Sequence, residues 1–497
     1  MPAKFTHLSF PRESHFTSQL CPECFKIDFD TIFSNTGVFE SQINPFSLNH
    51  SGLVHIEVDD AFKVPFEQEA ERMKKETKSR RRGEGRLVTD LGSRLSKTSP
   101  CPLCRFFWYC SPQEATPRPA EYELHAYCQR LTRCLGTSKT KGEGKDEEGR
   151  YYVFLSVLLK AEWIDQADIK WKFNLPCLIA PAAPRDAQFP NGCNTHLWGR
   201  ETSQLANTTL ARDWYRTCKS THEHCQRRSH DSVPEFRGFR LIDCLVNPPV
   251  VDTHSWKEEY VALSYVWGIP AVDSHAPGLW PKTVLDAMAV TRELGLRYLW
   301  VDKYCIDQGD EEDKALQISH ISLIYETAEV TIVATTGETV SSGLAGVHGS
   351  MRGAAVKVEI SDSMTLVSAH REPNLAIAVS PWATRGWTYQ EGLFARRRLY
   401  FNDSQMFWQC PGFSAEESFQ FPYSRILHGI LRFWDDIPSP GWLKTDIGEQ
   451  ARRSILYDCQ NHIHEYSKRY FTFDTDVIIA FRSLSSYFCS LSEGDVR

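Results

Sequence analysis

Three groups of residues in this sequence have the types and spacing to do chemistry. The first is a pair of CxxC knuckles, Cys21-Pro-Glu-Cys24 and Cys101-Pro-Leu-Cys104. A CxxC places two thiolates on one turn, within reach of a single tetrahedral Zn²⁺, and two such turns complete a Cys₄ site. Unliganded buried thiols are the alternative. Thioredoxin-like redox chemistry has less support, because neither knuckle is read at a strand-to-helix turn. The second group is Cys218, His222 and Cys225, whose four- and three-residue steps stack them on one helix face, with Cys193 or His224 available as a fourth ligand. A helix face also buries Cys and His without a metal. A zinc ion here would be structural, because no water-activating base lies nearby in the sequence.

The third group gathers where the predicted parallel strands end, the edge at which open α/β sheets bind ligands. Ser264, Tyr265, Trp267 and Gly268 close the first run (LSYVWG), and Asp302, Lys303, Tyr304, Asp307 and Gln308 close the second (WVDKYCIDQGD). The block RGWTYQE supplies Arg385, Trp387 and Glu391, with Arg396, Arg397 and Arg398 behind it. Each has an ordinary structural use: the tryptophans as core, Asp302 as a cap, the arginines as a solvated face. Asp, Tyr, Trp and Glu at several strand ends together point to a ligand pocket.

These residues need a scaffold, and the apolar periodicity supplies one. Glu259 to Tyr265, Tyr298 to Val301 and Val330 to Ala334 are short, largely apolar runs, read as strands buried on both faces. Thr283 to Leu294 reads as a helix closed by Gly295, and Asp310 to Glu326 as a helix that opens on acids. Strand, helix, strand, helix, strand in about 75 residues calls for right-handed crossovers and a parallel sheet. Upstream, Tyr151 to Leu158 and Asn174 to Ala180 read as strands, and Asn207 to Arg227 as a helix carrying Leu210, Trp214 and Cys218. Downstream, Ala354 to Ile360 and Met364 to Ala369 read as an inserted hairpin, and Thr384 to Phe394 as a short helix. Strands follow near Arg398 to Phe401 and Met406 to Gln409, and Trp442 to Arg497 reads as mostly helical.

The chain has 497 residues and a net charge of −7, with 41% hydrophobic and 12% aromatic residues. That excludes disordered and collagen-like classes. No run approaches the roughly 18 apolar residues of a membrane span. The first 30 residues lack the apolar stretch of a signal peptide, so the 16 cysteines read as reduced thiols and metal ligands. A soluble, cytoplasmic protein is expected, with no membrane partner. Two charged stretches, Glu67 to Arg86 and Thr137 to Arg150, read as exposed loops or disordered insertions. The basic run Arg80 to Arg82 suits nucleic acid, but net acidity and the lack of interleaved aromatics weigh against that partner. No GxGxxG follows a strand, and no GxxxxGK(S/T), HExxH or GxSxG occurs, so dehydrogenase, P-loop, zincin and α/β-hydrolase readings have no support.

Four blocks, Tyr260 to Gly268 (YVALSYVWG), Leu299 to Gln308 (LWVDKYCIDQ), Ile324 to Ala334 (IYETAEVTIVA) and Thr384 to Arg397 (TRGWTYQEGLFARR), resemble in order and spacing the fungal heterokaryon incompatibility (HET) domain. The likeness covers Glu258 to Cys410. The CxxC pair, the Trp214, Cys218, His222, Cys225 segment and Tyr466 to Ala480 (YSKRYFTFDTDVIIA) extend it more weakly. The family's Arg-Tyr-Phe-Thr block leads into a longer C-terminal region, so the resemblance implies a chain cut short after Arg497. It also implies a role in non-self recognition that triggers programmed cell death, by self-association and with a non-self or NLR-type partner protein. The implied fold is α/β, a TIR-like (flavodoxin-like) parallel sheet flanked by helices. An N-terminal zinc-knuckle-like region, an inserted β hairpin and a C-terminal helical extension complete it. The expected division is a Cys-rich region over 1–135, a linker over 136–150, a strand/helix region over 151–250, the HET domain over 251–412 and the extension over 413–497.

Some TIR domains cleave NAD⁺, and Trp387 and Glu391, four apart, are similar to the tryptophan and catalytic glutamate of those enzymes. NAD⁺ is then the implied substrate. Ser264 to Gly268 would match the end of the first TIR strand and its loop. A carboxylate near the ribose stabilises the oxocarbenium-like charge that develops as nicotinamide leaves, the role for Glu391. Tyr265, Trp267 or Trp387 would stack on a ring, Arg385 would pair with pyrophosphate, and Asp302 and Asp307 would orient ribose or adenine. The competing expectation for Glu391 is an ion pair with Arg385, Arg396 or Arg397. The competing functions are a non-catalytic signalling module using exposed Tyr265, Trp267 and Trp387, and a zinc-dependent nucleic-acid binder.

Overall fold

Two apolar runs, Tyr260–Ser264 and Val330–Ala334, are buried along their whole length, a pattern that fits only the centre of a sheet covered on both faces. A computed structural model of the chain describes residues 19–34, 86–111, 121–133, 151–160, 177–182, 198–222, 225–226, 238–268, 280–369, 376–377, 380–420, 425–427, 459–460 and 462–492. It sets these two runs side by side and parallel in an eight-stranded sheet. Tyr298–Trp300 lies beyond the first and Arg398–Phe401 beyond the second, both parallel. Taken in chain order, the four parallel strands occupy the spatial order second, first, third, fourth.

Beyond these four the chain runs antiparallel. Met406–Gln409 and Ser414–Glu416 extend one edge, and Arg240–Asp243 and Val250–Thr253 the other. The expected parallel sheet is therefore corrected to a mixed one. The cause is local: an antiparallel neighbour needs only a short turn, whereas a parallel one needs a crossover. Asn402 Oδ1 closes such a turn by accepting from the amides of Ser404 and Gln405 at 2.9 and 2.7 Å.

Helices follow the expected pattern with two corrections. The helix read over Asp310 to Glu326 is two, Glu311–Ser319 and Ile321–Thr327, interrupted at His320. Asp310 caps the first by accepting from Glu312 and Asp313 amides at 3.0 and 3.1 Å. The helix read over Asn207 to Arg227 covers only Thr208–Thr221. Asn207 caps it, accepting from the Leu210 amide at 3.2 Å, and Leu210, Trp214 and Cys218 face the core. His222 has extended backbone (φ −110°, ψ 103°), so His222 and Cys225 leave the helix axis.

A second sheet is antiparallel throughout: Arg86–Gly92, Tyr122–Arg133, Tyr151–Leu159 and Leu178–Pro181, then the hairpin Met364–Ala369 and Lys357–Ser361. The inserted hairpin thus completes a sheet built from residues far upstream. Over its own core lie Phe106, Phe107, Leu124, Leu155 and the cysteines of both CxxC knuckles. The larger core surrounds the mixed sheet and includes fully buried Trp214, Trp300, Trp382 and Trp408, each worth about 3–5 kcal/mol against alanine. The C-terminal helix Asp476–Ser492 packs on Gly386–Phe394. No helix among the described residues is long and apolar enough to cross a membrane. The run Arg80 to Arg82, residues 137–150 and 442–458, and Cys193 and His224 lie outside the described residues.

Candidate functional site

Glu391 belongs to the helix Gly386–Phe394, which is buried on nearly every side. Ser264, the last residue of the central strand, donates its hydroxyl to Glu391 Oε2 at 2.5 Å. Trp382 Nε1 donates in turn to Ser264 Oγ at 2.7 Å, completing an indole–hydroxyl–carboxyl relay. Tyr325, whose hydroxyl donates to the Leu263 carbonyl at 3.2 Å, is close enough to favour the ionised carboxylate. Burial outweighs these donors. Together with the negative charge of Asp302, it pushes the Glu391 carboxyl from 4.5 up to about 7.

Asp302 opens the short helix that follows Val301 at the end of the neighbouring strand. Its carboxylate accepts from Trp267 Nε1 at 3.0 Å and from the Lys303 amide at 2.7 Å. Its packed surroundings nevertheless raise it from 3.8 to about 6. Two carboxyl groups that titrate near neutrality therefore face one another electrostatically across the sheet end, the pattern of an acid/base or charge-stabilising pair. Arg385 moderates both, drawing each back toward ionisation. Its guanidinium makes no hydrogen bond to a described residue. Gly268 (φ 69°) lets the loop after Trp267 close on residues 338 and 339, where a Cβ would lie 2.6 Å from the Glu338 carbonyl.

The sequence-selected residues divide. Ser264, Asp302, Arg385 and Glu391 form one electrostatic cluster, with Trp267 bonded to Asp302. Tyr265 is 5% exposed rather than displayed, and its hydroxyl and that of Tyr304 have no hydrogen-bond partner among the described residues. Trp387 turns to the C-terminal segment, where its Nε1 donates to Asp476 at 3.0 Å. Asp307 and Gln308 are exposed, and Asp307 accepts from the Gly309 amide and from Arg240 instead of facing Glu391. Nor do Arg396 and Arg397 pair with Glu391. Both turn to Glu329, at 3.7 and 3.3 Å.

Both cysteine clusters assemble. The sulfurs of Cys21, Cys24, Cys101 and Cys104 lie within 4.8 Å of one another, as do the ligand atoms of Cys218, His222, Cys225 and Cys410. Either set could hold a metal ion. Cys21–Cys104 and Cys24–Cys104 separations of 3.8 and 3.5 Å match the sulfur–sulfur edge of about 3.8 Å in a tetrahedral zinc–thiolate site. The fourth member of the second set is Cys410, just past the strand Met406–Gln409, and neither Cys193 nor His224 is needed. Cys410, Trp382 and Tyr325 are the site residues that sequence reasoning missed. Trp382 and Tyr325 stand in or beside conspicuous motif blocks, whereas Cys410 has no partner at metal-ligand spacing.

Residues 260–391 match the family model described as heterokaryon incompatibility protein (HET). The chain carries a HET domain. No curated protein and no solved structure matches the sequence. The domain implies a role in heterokaryon incompatibility, and the match begins at the strand carrying Ser264 and ends on Glu391. The Ser264–Glu391 hydrogen bond thus draws the two ends of the HET segment together at the ends of its parallel strands.

Proposed function

We propose that this HET domain is the effector of a fungal non-self response that triggers programmed cell death, and that it acts by hydrolysing NAD⁺. One observation carries the reading: Glu391 is buried, held by Ser264, not ion-paired with Arg396 or Arg397, and poised near neutrality beside Asp302. The central strand order, second, first, third, fourth, agrees with the flavodoxin-like order of a TIR-like core.

In this mechanism the nicotinamide–ribose C–N bond breaks and its electron pair neutralises the pyridinium nitrogen. The oxocarbenium charge left on the ribose is stabilised by Glu391 in its ionised form. Water adds at the anomeric carbon and its proton passes to the Glu391 carboxylate. The products are nicotinamide, ADP-ribose and a proton. Arg385 pairs with the pyrophosphate, and the Tyr265 and Tyr304 hydroxyls supply donors to the substrate. The knuckle cysteines Cys21, Cys24, Cys101 and Cys104 hold a structural zinc ion away from this chemistry. Self-association raises the activity.

The test is incubation of concentrated, folded protein with NAD⁺ and chromatography for free nicotinamide, with Glu391→Gln beside it. Release by the parent that is lost in the variant supports hydrolysis. No release from associated protein leaves a non-catalytic signalling module as the better reading.

A further inference from the structure

The arginines behind Glu391 do not bind Glu391, and what they bind identifies a second centre. Arg397 is fully buried. It donates Nε to Cys218 Sγ at 3.1 Å, Nη2 to the Cys225 carbonyl at 2.6 Å and Nη1 to Glu329 Oε2 at 3.3 Å. Arg396 donates Nη1 to the same Cys225 carbonyl at 3.1 Å. Two guanidinium groups thus converge on a buried Cys/His cluster with one buried carboxylate, Glu329, between them. If the thiols were neutral, this interior would hold an excess positive charge, which burial makes costly.

We propose that Cys218, His222, Cys225 and Cys410 hold a zinc ion in a closed Cys₃His site, with Arg397 as its outer hydrogen-bond donor. Three thiolates and Zn²⁺ carry one net negative charge. Together with Glu329 this balances Arg396 and Arg397, while Lys219, 3.9 Å from Glu329, is offset by Glu259 at 2.7 Å, so the assembly is neutral. The geometry agrees. Cys410 Sγ is 3.6 Å from His222 Nδ1, against about 3.5 Å for the sulfur–nitrogen edge of a tetrahedral zinc site. All four ligands are buried, which leaves no open position for water and makes the site structural. Soft thiolates with one imidazole favour zinc over magnesium or calcium.

A second, independent feature is Gly412. A Cβ there would stand 2.2 Å from His222 Nδ1, so only glycine lets the ring enter the cluster between Cys410 and Phe413. The ion would clamp the end of helix Thr208–Thr221, upstream of the HET match, to the turn that follows the strand Met406–Gln409, downstream of it. Through Arg397 it would also brace the junction between the Glu391 helix and the fourth parallel strand.

The experiment uses the full chain, without a histidine tag, purified with no added metal. Zinc K-edge absorption on the parent is decisive by itself, because the knuckle site offers only sulfur. An imidazole nitrogen in the first shell supports the Cys₃His site, and a sulfur-only shell or no zinc overturns it. Plasma mass spectrometry of variants is the second measurement. Cys410→Ser and Gly412→Ala should each lose one zinc per chain relative to the parent, while His222→Cys should keep it and shift the cobalt(II)-substituted visible spectrum. Unchanged zinc in folded Cys410→Ser protein overturns the proposal. None of these readouts depends on NAD⁺ cleavage, so failure of one reading leaves the other testable.

Discussion

Replacing Glu391 by glutamine tests the electrostatics of the site without reference to any substrate. Glutamine keeps the shape and can still accept the Ser264 hydrogen bond, but it cannot ionise. In the folded parent the carboxyl titrates at about 7 instead of 4.5. Between those values the unfolded chain has released its proton and the folded chain has not, so the parent's stability falls as pH rises through this window. Each pH unit is worth about 1.4 kcal/mol, so the loss specific to Glu391 approaches 3 kcal/mol. Urea unfolding followed by tryptophan fluorescence at about pH 5 and pH 8 measures it for parent and variant. Near pH 5 the two should be similarly stable. Near pH 8 the variant should gain about 3 kcal/mol relative to the parent. The Asp302→Asn background should shrink this gain, because the Asp302 charge is the second cause of the upward shift. A stability difference that does not vary with pH would refute the reasoning.

Three other perturbations follow from contacts outside the cluster. Glu329→Gln leaves Arg397 buried against a neutral partner and should cost about 3–5 kcal/mol in urea unfolding. In contrast Lys219→Ala, at a half-exposed pair with Glu259, should cost under about 1 kcal/mol. Gly386→Ala would place a Cβ 1.8 Å from the Phe471 ring; overpacking of about 1–3 kcal/mol should loosen the C-terminal segment, read as faster hydrogen exchange over residues 462–492 with the central sheet unchanged.

Much of the HET segment is legible because its signals are local. Continuous apolar runs end in Asp302 or Ser264, helix starts carry acids, and Gly295 adopts φ 84° at the predicted cap. What the sequence hides is non-local. Nothing near Lys357–Ser361 shows that its hairpin pairs through Met364–Ala369 with Leu178–Pro181. Cys410 carries no spacing signal because its co-ligands lie on another segment, and the helical stacking of Cys218, His222 and Cys225 fails because the helix stops at Thr221. The Arg396 and Arg397 pairing with Glu329 is equally invisible: standing shortly after a catalytic candidate is no guide to direction once a helix has ended at Phe394.

The family match ends at Glu391, but what fixes Glu391 does not. Its helix packs on Ile321–Thr327 within the matched segment and is also held from outside it by the C-terminal chain. Gly386 N donates to the Tyr470 carbonyl at 3.0 Å and the Tyr470 amide donates to the Thr384 carbonyl at 2.7 Å, so the C-terminal chain forms a short ladder against the helix start. Trp387 is tied to Asp476, and Tyr389 Oη lies 2.8 Å from His462 Nδ1, an imidazole that burial keeps neutral near pH 7. Arg469 covers the Tyr389 ring at 4.4 Å and donates to the Arg385 carbonyl at 3.1 Å. A carboxyl raised to about 7 is costly to keep dry, and only a rigid surround prevents the helix from swinging it into water. The C-terminal segment supplies part of that rigidity, so the setting of Glu391 depends on residues outside 260–391.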